Sequence, residues 1–431
     1  MSLVKKLKNK VFTNSIWMMS EKLISIFGLI FVSSFVAKYI GPESFGKLTF
    51  AATIFAIIQT IAMFGSENII FQKTVKNRII GEKVIFATVS IRNSLYIFLA
   101  SFLLCIVYFF TDYLTFIFSI ASFIAVYFAL HDVYSIYFNA ILKSEINTLC
   151  NVIGLIISLL IRYIIAKFEL SVEWLSIPIV LVTFIPFIMR SFIYSKIKIS
   201  TDSRLNFKIN IYKKYMLSVG RKLVIYSLSV AIFTKTSQLF LGMKSQYELG
   251  IYTVAVTLGT SFYFVLTALI SSYMTQVYIE KDFNKSQNMV AKLNLAVIII
   301  SLCSFIFFYF LGNSIVEFLY GSEYEGVQNI LLLMVVVCLF SGLSTVAEKY
   351  LIKFSAFDYL KNKTNLLVIC NVVLAFVLIS NFGLYGAVFS ILITEILSTT
   401  IFNYFYENGR IFDTHKRIFK LSTYIKNQGV K

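Results

Sequence analysis

Long apolar segments separated by short polar breaks run through the whole chain. The first two, Ser15 to Ala37 and Leu48 to Phe64, each approach the roughly 20 residues that an α-helix needs to cross about 30 Å of hydrocarbon. Gly41-Pro42 stands between them, and proline interrupts a helix because it lacks an N–H and restricts the preceding residue. The pattern predicts a transmembrane hairpin with a short polar turn.

Ten further apolar segments follow, at about 86–110, 113–133, 148–168, 174–195, 223–243, 251–278, 291–311, 328–347, 365–381 and 384–406. The pattern therefore predicts an all-α membrane protein with twelve transmembrane helices, six on each side of a polar, lysine-rich segment. We place an N-terminal six-helix lobe at 1–200, a cytoplasmic linker at 201–215, a C-terminal six-helix lobe at 216–406 and a basic cytoplasmic tail at 407–431.

A short internal similarity supports the division into two lobes. Ser44 to Ala51 aligns with Glu248 to Ala255, 204 residues later, and each segment lies between the first and second spans of its half. A repeat at this distance predicts two homologous halves that enter the membrane from the same side.

Composition and charge distribution define the class of protein. Hydrophobic residues make up 58% of the chain, charged residues 14%, and mean hydropathy is +0.81, which excludes an ordinary soluble protein. The net charge of +18 is concentrated on one side, because alternate loops and the two termini hold 28 Lys and Arg residues against 4 in the other loops. By the positive-inside rule, both termini and the linker are cytoplasmic, and the charge does not indicate nucleic-acid binding.

Polar side chains within the apolar segments are the candidates for function, because a charge at membrane depth costs at least about 2.5–3.5 kcal/mol unless it faces a cavity or a partner. Basic residues outnumber acidic ones at depth, which favours an anionic solute. The candidates for substrate binding are Arg92, Arg162, Lys235, Gln238, Asn151 and Ser158, and those for ion coupling are Glu21 and Glu395. Helix packing is the alternative role for Ser158, and snorkelling to the outer membrane border is the alternative for Arg162. Arg190 is expected to be a topology anchor at the cytoplasmic border.

Sequence motifs for catalysis or cofactor binding are missing from the chain. There are two histidines, and no metalloprotease, nucleotide-binding, dinucleotide-binding or nucleophile-elbow motif occurs. We therefore expect no enzymatic activity, no catalytic residue, no metal and no cofactor.

The first fifty residues carry a family resemblance. Asn14-Ser15-Ile16-Trp17 leads into Glu21-Lys22, and Ala37 to Gly46 contains a basic residue, Tyr, Ile, Gly-Pro and an acidic residue followed by Gly. This opening resembles bacterial polysaccharide repeat-unit flippases of the O-antigen (Wzx) type, in the multidrug/oligosaccharidyl-lipid/polysaccharide (MOP) exporter superfamily.

The resemblance implies a fold and a function. The fold is a MATE-like pair of six-helix lobes around a central cavity, in the bacterial cytoplasmic (inner) membrane. The cargo is an undecaprenyl-diphosphate-linked oligosaccharide, flipped from the cytoplasmic to the outer leaflet for O-antigen or capsule biosynthesis. Polysaccharide polymerase machinery is a candidate partner beside the lipid bilayer.

Three other functions remain open at this stage. An ion-coupled exporter of drugs or metabolites would share the fold, although its cavity should carry acidic residues for cationic drugs. A polysaccharide polymerase or ligase would need a substantial outer loop for its active site, and the predicted outer loops are short. A membrane scaffold would not need charges near the midplane.

Overall fold

A computed structural model describes the backbone of residues 3–199 and 206–420, and every regular element in these ranges is helical. Residues 201–205 of the predicted linker and 421–431 of the predicted tail lie outside the described residues. The α-helices are α1 Leu3–Met63, α2 Ser66–Lys76, α3 Arg78–Phe110, α4 Tyr113–His131, α5 Tyr134–Ala140, α6 Ser144–Lys167, α7 Ser176–Ile197, α8 Asn206–Lys244, α9 Gln246–Gly259, α10 Tyr263–Ile279, α11 Phe283–Tyr320, α12 Gln328–Lys353, α13 Phe357–Thr399, α14 Ile401–Tyr404 and α15 Arg410–Ile418. Short 3₁₀ helices at Val172–Leu175, Ser322–Val327 and Glu407–Gly409 join some of them.

Many of these helices can cross a membrane. Within the described residues, nine helices are long and apolar enough, and the pair α9–α10, bent by 42°, raises the number to ten. The predicted class, an all-α multi-pass membrane protein, is confirmed, whereas the count of twelve spans stays a prediction. The difference arises partly because α13 turns back on itself and is counted once.

Helix α13 is a helical hairpin that turns at Gly383. A straight helix of its 43 residues would be about 65 Å long, roughly twice the hydrocarbon thickness. Instead, Asn371 Nδ2 donates to Thr394 Oγ1 at 3.3 Å, although 23 residues separate them. Gly383 has φ 54° and ψ −124°, a conformation that favours glycine. The predicted break between segments 365–381 and 384–406 lies at this turn.

Helix α1 has a similar break at Gly41, where φ is 74° and ψ is 168°. This is the predicted Gly-Pro turn of the opening hairpin. Pro42 begins the second arm, where its missing N–H costs nothing because the first residues of a helix have no intrahelical acceptor. Val36 and Ile40 before the turn share one apolar cluster with Ala51 after it, as expected for two arms that fold back on each other.

The first arm of α1 runs parallel to α6. Thr148 Oγ1 donates to Trp17 O at 3.1 Å, and the Tyr39 hydroxyl donates to Leu170 O. The two residues of each pair are 131 positions apart in the sequence. Gly28 and Leu159, which approach each other closely, have the same separation. A constant offset over 22 residues fixes the register, and the two helices therefore cross the membrane in the same direction.

The chain forms two compact units, residues 1–235 and 236–431. Their elements follow a similar order. Each has a segment interrupted by a turn or bend, α1 in the first unit and α9–α10 in the second, then a long capped helix and three further spans. The long helix begins after an N-cap of the same kind in both units, because Asn77 accepts from Ile79 N and Ile80 N, and Asp282 accepts from Lys285 N. The domain boundaries at 200 and 216 stay a prediction.

Each unit has its own apolar core. Fully buried Phe55, Tyr96 and Leu130 belong to one cluster of the first unit. In the second unit, α10, α11 and α12 contribute Leu266, Val297 and Val346. Several of the polar side chains described next are buried beside these cores.

Candidate functional site

A buried ion pair joins three helices of the first unit. Arg190 in α7 is 4% exposed and Asp132 at the end of α4 is 8% exposed. Arg190 Nε lies 2.9 and 2.8 Å from the two Asp132 carboxylate oxygens, and Nη2 also contacts that carboxylate. Nη1 donates to Asn151 Oδ1 in α6 at 2.8 Å. The expectation that Arg190 is a border anchor is therefore wrong, because the side chain is enclosed and paired.

Arg92 lies in the same unit without such a pair. It is fully buried in α3, and Nη1 donates to Thr88 Oγ1 at 2.9 Å. Nε and Nη2 have no hydrogen-bond partner among the described residues. His131 and Tyr134 lie close enough to interact with the guanidinium electrostatically. A buried cation with unused donors is costly in stability, which makes Arg92 an unusual residue of this unit.

Asn151, Gly154, Ser158 and Arg162 follow one another along one face of α6, and Gly154 and Ser158 contact α7. Ser158, which is 1% exposed, donates to Pro178 O at 3.0 Å. A Cβ on Gly154 would lie 2.7 Å from the Pro186 ring, so α6 and α7 pack in close contact there. Arg162 is half-buried further along α6, and within the described part of the chain no hydrogen bond or ion pair joins it. Helix α7 therefore covers Gly154 and Ser158, whereas Arg162 is only half-buried.

A second buried carboxylate was not predicted from the sequence. Glu82 in α3 is 3% exposed and accepts from the Tyr137 hydroxyl at 2.7 Å. It also accepts from Ile199 N at 3.1 Å, and Arg78 Nη2 donates to the same hydroxyl at 3.1 Å. Glu82 thus attaches the chain after α7 to α3. Its position in a charged loop between spans gave no sequence signal that separates it from a solvated residue.

The second unit has its own buried polar cluster. Lys363 at the start of α13 is 4% exposed, and its Nζ lies 3.2 Å from Glu348 Oε1 in α12 and 3.0 Å from Asn403 Oδ1 in α14. Glu395 is 9% exposed, accepts a hydrogen bond from Ser341 and lies within electrostatic range of Glu348 and Lys363. Two carboxylates thus share one ammonium group.

The two clusters have the same plan with two roles exchanged. In the first unit, Asp132 at the end of α4 pairs with Arg190, and the amide oxygen of Asn151 completes the group. In the second unit, Glu348 in α12 pairs with Lys363, and the amide oxygen of Asn403 completes the group. The base is in α7 and the amide in α6 of the first unit, whereas the base begins α13 and the amide follows it in the second unit. The exchange keeps one positive, one negative and one neutral polar group at the same end of each unit.

The remaining candidates lie at separate places. Lys235 is half-buried in α8 and has a partner in the structure, as does Gln238 three residues later. Glu21 belongs to α1, and its side chain lies outside the described residues. The structure therefore brings Asn151 into the Arg190 cluster and Glu395 into the Lys363 cluster.

Comparison with known proteins identifies the family. A family model described as "Polysaccharide biosynthesis protein" matches residues 35–329, more than half of the chain. The chain belongs to this family. Among curated proteins, this polysaccharide biosynthesis family member is similar to the capsular polysaccharide biosynthesis protein CapF of Staphylococcus aureus, with 27% identity over 179 residues. That match covers 38% of the chain and 43% of CapF.

Solved structures of membrane transporters share the fold of the family member. The lipid II flippase MurJ in an inward closed conformation has a TM-score of 0.67 at 15% identity, covering 94% of this chain and 90% of that one. An inward-facing MATE multidrug transporter of the MOP superfamily has a TM-score of 0.63 at 13% identity, covering 92% and 96%. At these identities the similarity shows the fold alone.

Proposed function

We propose that the protein is a flippase for an undecaprenyl-diphosphate-linked oligosaccharide, which it moves from the cytoplasmic to the outer leaflet of a bacterial inner membrane for capsule or O-antigen biosynthesis. The observation that carries the proposal is the family match over residues 35–329 in a chain built from membrane-spanning helices. A relative named for capsular polysaccharide biosynthesis and the fold shared with a lipid II flippase support the same class of cargo.

The charge of the buried side chains favours a diphosphate over a cationic drug. Arg92 has two unused guanidinium donors, which match the geometry of phosphate oxygens. Half-buried Arg162 in α6 and Lys235 in α8 add positive charge in two other helices. We propose these three residues as cargo-binding groups, and Gln238, Asn151 and Ser158 as further polar candidates.

Glu395 is our candidate for ion coupling. It lies where two carboxylates face one ammonium, so the group is one proton or one cation short of neutrality. Glu21 is the corresponding proposal for the first unit and lies outside the described side chains. Both termini lie on the cytoplasmic side in this account, and the polymerase that uses the flipped unit is a proposed partner.

Depletion of the protein in its own host tests the proposal. Loss of a flippase leaves lipid-linked repeat units on the cytoplasmic leaflet, and surface polysaccharide should fall while radiolabelled lipid-linked oligosaccharide accumulates. Loss of a polymerase or ligase would instead leave single repeat units accessible to periplasmic glycosidases. Accumulated units that are accessible from outside would therefore contradict the proposal.

The drug exporter remains a second candidate because the MATE transporter shares the fold. Ethidium efflux by the same depleted cells distinguishes the two functions. Unchanged efflux together with loss of surface polysaccharide supports the flippase, whereas lost efflux with intact polysaccharide supports the exporter.

A further inference from the structure

Helix α15 lies near the end of the second unit and is attached along one side to the first turns of α11. Gly409, with φ 83°, turns the chain before the helix, and Ile411 and Thr414 are buried. Arg417 donates to Asn288 Oδ1 at 2.7 Å and to Asn284 Oδ1 at 2.9 Å, both in the first turns of α11. These contacts orient the helix on the end of α11.

Arg410 reinforces the attachment at the other end of α15. Its guanidinium lies 3.9 Å from the centroid of the Phe354 ring and 5.3 Å from that of Phe283, and it pairs with Glu407. Cation–π contacts of this kind and the Asn284 and Asn288 hydrogen bonds leave little freedom to rotate the helix. The face opposite the attached side is therefore constrained to point outward.

That opposite face combines aromatic rings with cations. Phe412 is 40% exposed and Phe419 is 88% exposed, at positions i and i+7, and Lys416 lies between them at i+4. Lys416 Nζ lies 4.2 Å from the centroid of the Phe412 ring, so the ammonium and the ring form one surface. Lys420 is exposed beside it. We call Phe412, Lys416, Phe419 and Lys420 the aromatic–basic face.

We infer that the aromatic–basic face of α15 binds anionic phospholipid headgroups and inserts its two phenyl rings at the lipid–water boundary. A short amphipathic helix with cations beside exposed rings is suited to this position, where the rings enter the acyl region and the lysines reach the phosphates. The face also continues the apolar surface at the end of the last span, where Phe405 is 77% exposed. The inference goes beyond the proposed transport and does not depend on it.

Nitroxide probes on the full-length protein test the inference. Cysteines are introduced as Phe412→Cys and Phe419→Cys, each in a background in which the five native cysteines are replaced, and the protein is placed in nanodiscs that contain phosphatidylglycerol. We expect both probes to collide more with oxygen, which partitions into lipid, than with an aqueous nickel chelate. Asp413→Cys is the matched control on the same helix, because Asp413 is exposed at the side of the aromatic–basic face, and its probe should favour nickel.

Two results would overturn the inference. A probe at 419 that is as accessible to nickel as the probe at 413 places the face in water. A probe that is immobile and shielded from both reagents places it against protein, either the rest of this chain or a partner.

The lysines supply the lipid selectivity in this account. The Lys416→Gln/Lys420→Gln double variant should lower the preference for spin-labelled phosphatidylglycerol over phosphatidylcholine, by about fivefold for each lysine. An unchanged preference contradicts the role of the cations. Lys361→Gln/Lys349→Gln is a control with exposed or half-exposed lysines elsewhere in the same unit, and it should leave accessibility at position 419 unchanged.

Discussion

Arg92 and Arg190 are both buried arginines of one unit, and their surroundings give them opposite energetic roles. Arg190 faces Asp132 and two asparagines of α6, whereas Arg92 has one hydroxyl and two unused donors. A paired charge stabilises its helix contacts once it is buried, and an unpaired one is kept at a cost in stability. Arg190 therefore has a structural role, whereas a functional role for Arg92 stays a prediction.

Removal of one partner of the Asp132–Arg190 pair should destabilise the protein strongly. Asp132→Asn leaves a buried guanidinium without its carboxylate, and the expected loss is about 3–5 kcal/mol in free energy of unfolding. Thermal unfolding in detergent measures it. The half-exposed pair Glu407–Arg410 is the control, since Glu407→Gln should cost about 0–1 kcal/mol. Equal losses for the two variants would contradict the assignment.

Arg92→Met should have the opposite effect on stability and a severe effect on function. Methionine fills much of the same volume and needs no partner. We therefore expect the free energy of unfolding to be unchanged or raised by up to about 3 kcal/mol, with an unfolding temperature that is unchanged or higher. Complementation of the depleted host by this variant should fail, whereas Arg92→Lys should keep part of the activity. A stable variant with full complementation would show that the guanidinium does not bind cargo.

For single residues, the sequence predicted which polar side chains are buried better than it predicted their hydrogen-bond and ion-pair partners. Arg92 and Glu395 were selected by depth alone, and both are buried. Arg190 was assigned to the cytoplasmic border and its pairing with Asp132 was not predicted, because pairing between α4 and α7 depends on tertiary packing that no local pattern encodes. The role of the selected residues in binding cargo stays a prediction.

Among the helices, the glycine turn of α13 depends on a backbone conformation that other residues adopt with strain. Gly383→Ala adds a Cβ that would lie 2.8 Å from Glu248 Oε2, at a φ of 54°. We expect a loss of about 1–3 kcal/mol, measured by thermal unfolding. Gly326→Ala is the control because its Cβ would lie 3.5 Å from Ile251, an ordinary contact. Similar unfolding temperatures for both variants would mean that the turn is not strained.

The attachment of α15 should weaken in mild acid. His415 Nδ1 lies 2.9 Å from the Tyr404 hydroxyl, and Nε2 is buried without a partner among the described residues. Burial lowers the pKa of His415 from 6.5 to about 4. Between these values the detached helix takes up a proton that the attached helix excludes, so attachment weakens by about 1.4 kcal/mol per pH unit as the pH falls.

Hydrogen exchange in the amides of α15 measures this effect. Protection factors should fall from pH 7 to pH 5, and His415→Gln should remove the dependence because glutamine does not titrate. Equal pH dependence in the variant would assign the effect to another group.

Helices were largely predictable because apolar length and Gly-Pro breaks are local signals. The turns at Gly41 and near Gly383 were placed correctly. The bend between α9 and α10 lies inside a predicted single span, and α15 lies in what was expected to be only a basic tail, since its burial depends on Ile411 and on contacts with α11.

For the molecule as a whole, the family and the fold rest on independent observations. The family match covers residues 35–329, and the fold similarity covers at least nine-tenths of the chain. The repeat of helix order and of the acid–base–amide groups in two units agrees with the predicted homologous halves. The proposed function adds a cargo to this fold. The positive charge of Arg92 favours an anionic cargo, and a transport measurement can test that proposal independently of the fold.

The most direct test is transport by the purified protein in vesicles. A fluorescent undecaprenyl-diphosphate oligosaccharide is incorporated into both leaflets, and a membrane-impermeant glycosidase reports how much becomes accessible from outside. We predict that the wild-type protein makes the inner pool accessible, and that vesicles with Arg92→Met protein or without protein keep it protected. An inner pool that stays protected with the folded wild-type protein, under every imposed proton or sodium gradient, would contradict the account.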